Sequence, residues 1–225
     1  MVYAQKSGVV SVSNYIIKYA RDERVKYISH LDFVRLFHRA IRRSGLPFMF
    51  SQGFNPHPIM TVAQPLSVGV TSDCEYMSVG FDGDFSNDEL KTRINNALPL
   101  GYSIVDVKKV NSKKEIDLTK LNRAIYIVEI ECEGDVDIAK FLENKELKVM
   151  KKSKSGIKES DIRPYIYDLK RIDKKDNILT LEMCIAIGNT YNLKPETVIA
   201  AMEKYCDGFK SVFFITHRKE MLFGE

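Results

Sequence analysis

The alternation of apolar and polar residues predicts a regular series of strands and helices in the first half of the chain. Residues 14–20 are rich in β-branched and aromatic side chains, which favour a strand. Residues 30–44 carry apolar side chains at helical spacing, and Ser29 and Gly45 are typical of the two ends of a helix. The same patterns predict strands at 59–63, 75–81 and 102–110, a turn at 71–73 and a helix at 86–98. The predicted order is β-α-β-β-α-β.

The second half repeats this order of elements. The patterns predict strands at 123–132, 165–172, 178–187 and 211–216, and helices at 137–142 and 194–206. We therefore predict an α+β fold of two tandem ferredoxin-like (βαββαβ) domains. The N-terminal domain is predicted at 1–112, a polar linker at 113–122 and the C-terminal domain at 123–225. No repeat of residues accompanies the repeated order, so the similarity is one of elements alone.

Composition narrows the classes of protein to be considered. The chain has 225 residues, of which 44% are hydrophobic, enough for two domains with their own cores. Its four cysteines lie far apart, which predicts free thiols rather than a zinc site, an iron–sulfur cluster or disulfides. No signal peptide and no run of about 18 apolar residues is visible, so we expect a cytoplasmic protein without a membrane partner. The net charge of +4 favours no particular partner.

The outer face of the first predicted helix carries four arginines and one acid. At about 100° per residue, the side opposite the apolar face carries Arg35, Arg39, Arg42 and Arg43. Asp32 lies on the same side, where it can pair with Arg35 or Arg39. A solvated charged face is one interpretation. Such faces usually mix signs, however, because opposite charges four residues apart stabilise a helix. Guanidinium groups crowded in this way favour a bound anion, and their planar donors suit phosphate.

A rigid polar loop, Ser51-Gln52-Gly53-Phe54-Asn55-Pro56-His57-Pro58, follows this helix. Its prolines fix φ and Gly53 permits a tight turn, so the side chains between them are predicted to be exposed. Exposed polar loops of this kind are typical of ligand contact surfaces. The predicted binding side chains are Ser51, Gln52, Phe54, Asn55 and His57. Of these, His57 is the best candidate for general acid–base catalysis, although a single loop histidine also fits a simple binding role.

The other histidines are predicted to be structural or without a role. His30 is expected to point toward the apolar side of the first helix, where the positive helix end disfavours its charged form. With Ser29 and Asp32 it is predicted to support the start of that helix. His38 and His217 are predicted to be incidental.

A lysine-rich segment in the second half is a further candidate surface. It contains Lys151, Lys152 and Lys154 together with other lysines between residues 145 and 158. One interpretation is a solvated loop. The other is a sequence-independent contact to a nucleic-acid backbone, and the two basic clusters together favour RNA.

Known catalytic and cofactor motifs are missing from the sequence. There is no G-x-x-x-x-G-K-S/T, no G-x-G-x-x-G, no G-x-S-x-G and no H-E-x-x-H. We therefore predict no metal and no cofactor, and a binding protein is favoured over a conventional small-molecule enzyme.

Several of these residues resemble the pattern of the uncharacterised radical-SAM-linked protein family. They are Ser29-His30-Leu31-Asp32, Arg35, Arg39-Ala40, Arg43, Leu46-Pro47, the 51–58 loop, Pro65-Leu66, Gly69, Ser72 and Glu75. The resemblance is specific over about residues 14–110 and looser through Asp161-Ile162-Arg163-Pro164 and the final predicted strand, so it covers most of the chain. Members of that family occur fused to B12-binding radical SAM proteins or encoded beside them, so the resemblance implies a radical SAM partner. This chain lacks the three-cysteine motif of radical SAM enzymes, so it is expected to be the companion rather than the catalyst.

These observations lead to one expected function and two alternatives. We expect an accessory protein that binds structured RNA, tRNA or rRNA, and presents it to a radical SAM modification enzyme. The first alternative is a metal-independent endoribonuclease that uses His57. The second is a protein–protein adaptor that docks on the radical SAM protein through Phe54. The paired layout also resembles the repeat-processing proteins of CRISPR systems, an analogy of predicted fold only.

Overall fold

The structure is a computed structural model that describes residues 12–111, 116–153, 156–188 and 190–224, except for the side chains at 151–153 and 157. The described residues form a mixed α+β protein, mostly strand with four helices. Their strands form a large mixed sheet and a separate hairpin. The chain divides into two compact units, unit 1 (Met1–Pro65 and Glu75–Asp117) and unit 2 (Leu66–Cys74 and Leu118–Glu225). The predicted α+β class is confirmed, whereas the finer prediction of two tandem ferredoxin-like domains is not.

Unit 1 has the order β-α-β-β-α-β. Its elements are β1 (Val12–Arg21), α1 (His30–Arg43), β2 (Met60–Ala63), β3 (Thr71–Asp82), α2 (Asn87–Ala97) and β4 (Tyr102–Val110), with a 3₁₀ turn at Glu23–Val25. The strands lie side by side in the order β4-β1-β3-β2. The predicted strands and both predicted helices of this half are present and differ mainly at their ends.

Serine side chains fix the starts of both helices in unit 1. The Ser29 hydroxyl accepts the backbone N–H of Asp32 at 3.3 Å, and the Ser86 hydroxyl accepts that of Glu89 at 3.2 Å. These bonds satisfy donors that have no partner within the helix, so local sequence determines where α1 and α2 begin.

The apolar face of α1 packs into an aromatic core. Phe33, Phe37 and Ile41 are buried, with the ring centroids of Phe33 and Phe37 4.7 Å apart and that of Tyr19 5.0 Å from Phe33. His30 does not join this face. Its side chain is exposed, so the predicted orientation of His30 is wrong. His30 is the first residue of α1, and the buried face of the helix starts at Phe33.

Unit 2 is built around a four-stranded antiparallel arrangement. Its elements are β5 (Leu121–Glu133), α3 (Ile138–Glu143), β6 (Lys148–Ser153), β7 (Gly156–Asp161), β8 (Ile166–Lys175), β9 (Ile178–Ala186), α4 (Pro195–Tyr205) and β10 (Lys210–Phe223), with 3₁₀ turns at Leu118–Lys120 and Arg163–Tyr165. The strand order is β10-β5-β9-β8, while β6 and β7 form their own hairpin. One interpretation of the lysine-rich segment was a solvated loop, but Lys148, Lys151, Lys152 and Lys158 lie on the two strands of this hairpin.

The first residues of β3 belong to unit 2 and correct another prediction. Residues 71–73 were expected to form a turn, yet Thr71 and Ser72 pair in parallel with His217 and Arg218. His217 is also not incidental, since its Nδ1 lies 2.8 Å from Thr71 Oγ1 and its Nε2 3.0 Å from Asp73 Oδ2. Polar residues occupy this strand because their partners come from a segment far along the chain, which local turn propensity does not reveal.

The remaining predictions concern chemistry and boundaries. None of the four cysteines forms a disulfide, as predicted. Burial raises the pKa of the Cys132, Cys184 and Cys206 thiols, which disfavours reactive thiolates. Within the described ranges, no helix is long and apolar enough to cross a bilayer. The predicted linker at 113–122 falls partly on residues 112–115, which lie outside the described part of the chain, so this boundary stays a prediction.

Candidate nucleic-acid interface on unit 1

The arginine face of α1, formed by Arg35, Arg39, Arg42 and Arg43, is exposed along its length. Arg35 Nη1 lies 3.4 Å from Asp32 Oδ1, with both side chains more than half exposed, so this ion pair contributes little. Among the residues that the structure describes, Arg39 and Arg42 have no carboxylate within ion-pair distance. The predicted excess of positive charge on this face is therefore present in the folded protein.

Arg43 differs from the other three arginines because its guanidinium bonds to a residue of another helix. Its Nη2 donates to the carbonyl oxygen of Ala97, the last residue of α2, at 2.6 Å. In return, Arg93 of α2 donates from Nε and Nη2 to the Ser44 carbonyl at the end of α1, at 3.1 and 2.9 Å. Each arginine thus satisfies a carbonyl at the negative end of the other helix. Arg43 has a structural role that the sequence did not reveal.

A groove of about 630 Å³ runs beside the arginine face. Residues Tyr27 to Ser29 and Pro99 form its sides, and α1 contributes Asp32, Arg35, Arg39 and Arg43. The volume is in the range of about 300–1,000 Å³ that is usual for small-ligand sites. The α1 wall of the groove carries three arginines together with Asp32 and Leu36.

The buried guanidinium of Arg21 holds the loop that carries Tyr27. Its Nη2 donates to the carbonyl oxygens of Val25, Lys26 and Ile28, at 3.0, 2.7 and 3.4 Å. Arg21 is 6% exposed and its Nε has no hydrogen-bond partner in the structure. The loop is therefore fixed by a charged donor that reaches several carbonyls at once.

Ser51 and His57 close the 51–58 loop. Ser51 N–H donates to the His57 carbonyl at 2.9 Å, and His57 N–H donates to Ser51 Oγ at 3.1 Å. Ser51 Oγ also lies 2.9 Å from His57 Nδ1. Between these residues the Gln52, Phe54 and Asn55 side chains are exposed, as predicted for a contact loop.

His38 was predicted to be incidental, but the structure places it near the base of this loop. Its ring centroid is 5.5 Å from that of Phe48, whose ring is in turn 6.4 Å from Phe50. Burial lowers the pKa of His38, and the positive charges of Arg42 and His57 lower it further. The i,i+4 spacing of His38 and Arg42 was visible in the sequence, whereas the approach of His57 was not.

The predicted lysine contacts belong to unit 2. Lys151 and Lys152 lie on β6, with side chains outside the described part of the chain, and Lys154 is itself outside the described residues.

In the part of the chain that the structure describes, no group of three His, Cys, Asp or Glu side chains is arranged to hold a metal ion.

A profile of the family described as "Uncharacterized protein conserved in bacteria (DUF2344)" matches residues 14–195. The chain belongs to this family. The match covers the whole arginine face and the 51–58 loop, and it does not show a link to radical SAM proteins. No curated protein matches this DUF2344 chain.

Two solved structures are similar to the DUF2344 chain at low sequence identity. One is a chain in "Crystal Structure of a Cbf5-Nop10-Gar1 Complex", with a TM-score of 0.49 and 7% identity over 92% of this chain and 48% of that chain. The other is "Crystal Structure of an Unknown Protein from Galdieria sulphuraria", with a TM-score of 0.26 and 11% identity over 90% of this chain and 99% of that chain. The DUF2344 chain thus spans about half the length of the first. At these TM-scores neither similarity supports a functional argument.

Proposed function

We propose that this DUF2344 protein is a non-catalytic accessory protein that binds structured RNA through the arginine face and the 51–58 loop. The observation that carries the proposal is the exposure of Arg39 and Arg42 without a carboxylate partner among the described residues. Like charges held on one helix face raise the free energy of the folded chain unless an anion lies over them. RNA phosphates are anions that match the planar donors of arginine.

The 51–58 loop adds groups that suit RNA bases and sugars. Phe54 is fully exposed at the tip of the loop. The backbone hydrogen bond between Ser51 and His57 holds the loop closed below it. An exposed aromatic ring stacks on unpaired bases, and the amides of Gln52 and Asn55 offer donors and acceptors to base edges. Phosphate contacts from α1 would position the RNA while this loop contacts its nucleotides.

We also propose that each unit is a ferredoxin-like domain. The strand order β4-β1-β3-β2 of unit 1 corresponds to β10-β5-β9-β8 of unit 2, when β6–β7 is treated as an insertion. In both units a helix follows the first strand and another precedes the last. This parallel order supports a repeated βαββαβ architecture.

Salt-dependent RNA binding tests the proposal. Filter binding of total tRNA and rRNA to the full chain, from 25 mM to 300 mM salt, should show the logarithm of affinity falling linearly with the logarithm of salt concentration. Arg39→Gln with Arg42→Gln should weaken binding, whereas Arg171→Gln should not, because Arg171 is paired with Asp135 in unit 2. Undetectable binding at low salt would reject the proposal.

The proposed radical SAM partner requires a separate experiment. The tagged protein, purified from its native host after nuclease treatment, should retain a radical SAM protein if the contact is direct. Retention only before nuclease treatment would indicate that RNA bridges the two proteins. Absence of any radical SAM protein under both conditions would contradict this part of the proposal.

The position of His38 favours a second candidate function, a metal-independent endoribonuclease. The imidazoles of His38 and His57 would act as the base for a ribose 2′-hydroxyl and the acid for the leaving 5′-oxygen. Arg42 would supply a cation for the phosphate. In EDTA, this function predicts fragments with 2′,3′-cyclic phosphate ends that disappear in His57→Ala and in His38→Ala. Intact RNA after prolonged incubation would leave the binding function and exclude cleavage.

A further inference from the structure

The groove beside the arginine face combines three chemical surfaces within one small-ligand volume. An exposed aromatic side chain lies on one side, guanidinium groups lie on α1, and a carboxylate lies at the start of α1. Aromatic rings contact bases, arginines contact phosphates and carboxylates accept hydrogen bonds from sugar hydroxyls. These are the three parts of a nucleotide.

Tyr27 provides the aromatic surface. Its side chain is 74% exposed, although aromatic rings usually bury their area in a core. The three hydrogen bonds from Arg21 to the carbonyls of residues 25, 26 and 28 hold the backbone on both sides of Tyr27. Lys26 Nζ, which pairs with Glu23, lies over the ring at 5.3 Å from its centroid. A ring held exposed by a buried arginine is suited to stacking on a base, since little ordering of the loop is needed on binding.

Arg35 and Arg39 provide the cationic surface. They lie four residues apart on α1, so their guanidinium groups are neighbours on the groove wall. Arg39 has no carboxylate within ion-pair distance among the described residues, and the single pair of Arg35 with Asp32 is long and exposed. Both side chains can therefore turn toward a phosphate without breaking a strong interaction of the fold.

Asp32 provides the acceptor for sugar hydroxyls. Ser29 Oγ donates to Asp32 Oδ2 at 2.7 Å, which fixes the carboxylate at the groove end. An ionised carboxylate has about four acceptor positions, and the bonds from Ser29 and Arg35 use two of them. Two adjacent ribose hydroxyls offer donors to such a group, whereas deoxyribose lacks the 2′-hydroxyl.

We propose that the groove binds one unpaired ribonucleotide of the RNA, with its base on Tyr27, its phosphate at Arg35 and Arg39, and its ribose hydroxyls at Asp32. This inference rests on the proposed RNA-binding function and specifies the class of RNA. Bases inside an A-form duplex are stacked on each other, and their faces are closed to Tyr27. The protein therefore selects single-stranded or looped segments over continuous duplex.

Fluorescence anisotropy with three labelled probes tests the inference on the full chain. The probes are a 12-nucleotide oligouridine, the same strand annealed to oligoadenosine, and a 12-nucleotide oligodeoxyuridine. The single-stranded RNA should bind at least about tenfold more tightly than the duplex and several-fold more tightly than the DNA. Equal affinity for single strand and duplex would overturn the inference.

Substitutions at three residues of the groove, Tyr27, Asp32 and Arg39, test which residue contacts which part of the nucleotide. Tyr27→Ala should weaken oligouridine binding by about tenfold, whereas Tyr27→Phe should remain within twofold because the ring is retained. Tyr167→Ala, at an exposed tyrosine of unit 2, is the matched control and should have no effect. Asp32→Ala should reduce the preference for RNA over DNA, and Arg39→Gln should weaken both.

The outcomes separate this inference from the proposed function. Unchanged oligouridine affinity in Tyr27→Ala, with salt-dependent binding retained, would overturn the nucleotide site and leave RNA binding in place. Failure of every RNA probe to bind at 25 mM salt would overturn both. Circular dichroism of each variant confirms that the fold is retained, which is expected because Tyr27 and Arg39 are exposed.

Discussion

Arg43 donates a hydrogen bond from Nη2 to the carbonyl oxygen of Ala97, across 54 residues of sequence, at 2.6 Å. This contact divides the arginine face into groups with different roles. Arg43 connects the end of α1 to the end of α2, whereas Arg39 is directed to solvent along the groove. Arginines that look equivalent on a helical wheel are thus distinguished by packing.

The first prediction separates these roles with two substitutions on the same helix face. Arg43→Ala should lower the free energy of unfolding by about 0.5–1 kcal/mol, because an exposed hydrogen bond to a helix-end carbonyl is lost. Arg39→Ala should leave the urea midpoint unchanged and weaken RNA binding. The opposite pattern, a stability loss in Arg39→Ala alone, would contradict the structural role of Arg43.

The second prediction concerns the closure of the 51–58 loop. Ser51→Ala removes the oxygen that accepts His57 N–H and contacts Nδ1, so we expect a loss of about 0.5–1 kcal/mol in urea unfolding. RNA affinity should fall by a few-fold because the loop is less ordered before binding. Ser51→Thr keeps the hydroxyl and is the control. Equal binding by Ser51→Ala and the unmodified protein would show that loop closure does not matter for RNA.

The third prediction concerns the charge environment of His38. Burial is the main cause that lowers its pKa, and Arg42 is the second. Arg42→Gln should therefore raise the pKa of His38, measured by NMR titration of the imidazole protons. Because the folded-state pKa lies below the ordinary value of 6.5, the contribution of neutral His38 to stability is present above pH 6.5 and is lost as pH falls through the folded-state pKa. No change in the pKa on Arg42→Gln would place Arg42 away from His38.

The fourth prediction concerns Tyr102, whose buried hydroxyl has no hydrogen-bond partner among the described residues. Tyr102→Phe removes this unsatisfied group while keeping the ring, so the protein should be unchanged or more stable by up to about 1 kcal/mol at pH 7. Burial raises the pKa of Tyr102 above its ordinary value of 10.0, despite an opposing effect of Arg21. The neutral hydroxyl is thus favoured below pH 10, and stability falls as pH rises through the folded-state pKa.

The free energies of unfolding of Tyr102→Phe and of the unmodified protein should therefore differ more above pH 10 than at pH 7. Urea unfolding across pH 7–11 measures this difference. Other tyrosines and lysines titrate in the same range, but they are common to both proteins. A stability loss in Tyr102→Phe at pH 7 would mean that the hydroxyl has a partner in solution.

The fifth prediction concerns the buried cation below the groove. Arg21→Ala should destabilise the protein by about 2–4 kcal/mol, because three carbonyls lose a charged donor at once. Arg24→Ala is the control, since Arg24 lies in the same segment but is exposed, and it should not shift the midpoint. Similar midpoints for both variants would show that Arg21 does not hold the Tyr27 loop.

Much of the fold could be predicted from local patterns. The apolar spacing of residues 30–44 and the cap at Ser29 predicted α1 almost to the residue, because capping and amphipathic packing depend on neighbours in sequence. The prediction of a turn at 71–73 was wrong because these residues depend on partners far away in sequence. Thr71 and Ser72 are in a strand because His217 and Arg218 offer them backbone partners, and strand pairing depends on tertiary context.

The candidate site shows the same division. The sequence indicated the arginine face and the polar loop, since the order and spacing of these residues fix which side of α1 they occupy and how rigid the loop is. It did not indicate Tyr27 or His38. The groove beside Tyr27 is completed by α1 and Pro99, and His38 meets Phe48 and His57 only in the folded chain.

By itself, the sequence determined the elements and their exposed chemistry: a capped helix with crowded arginines and a proline-bounded loop. The tertiary structure decided which of those charged side chains have partners within the fold. Arg43 meets Ala97, Arg93 meets the Ser44 carbonyl, and His38 lies near His57. Hydrogen bonds and charge effects act over a few ångströms in space, and only the packing of distant segments brings these groups within that range.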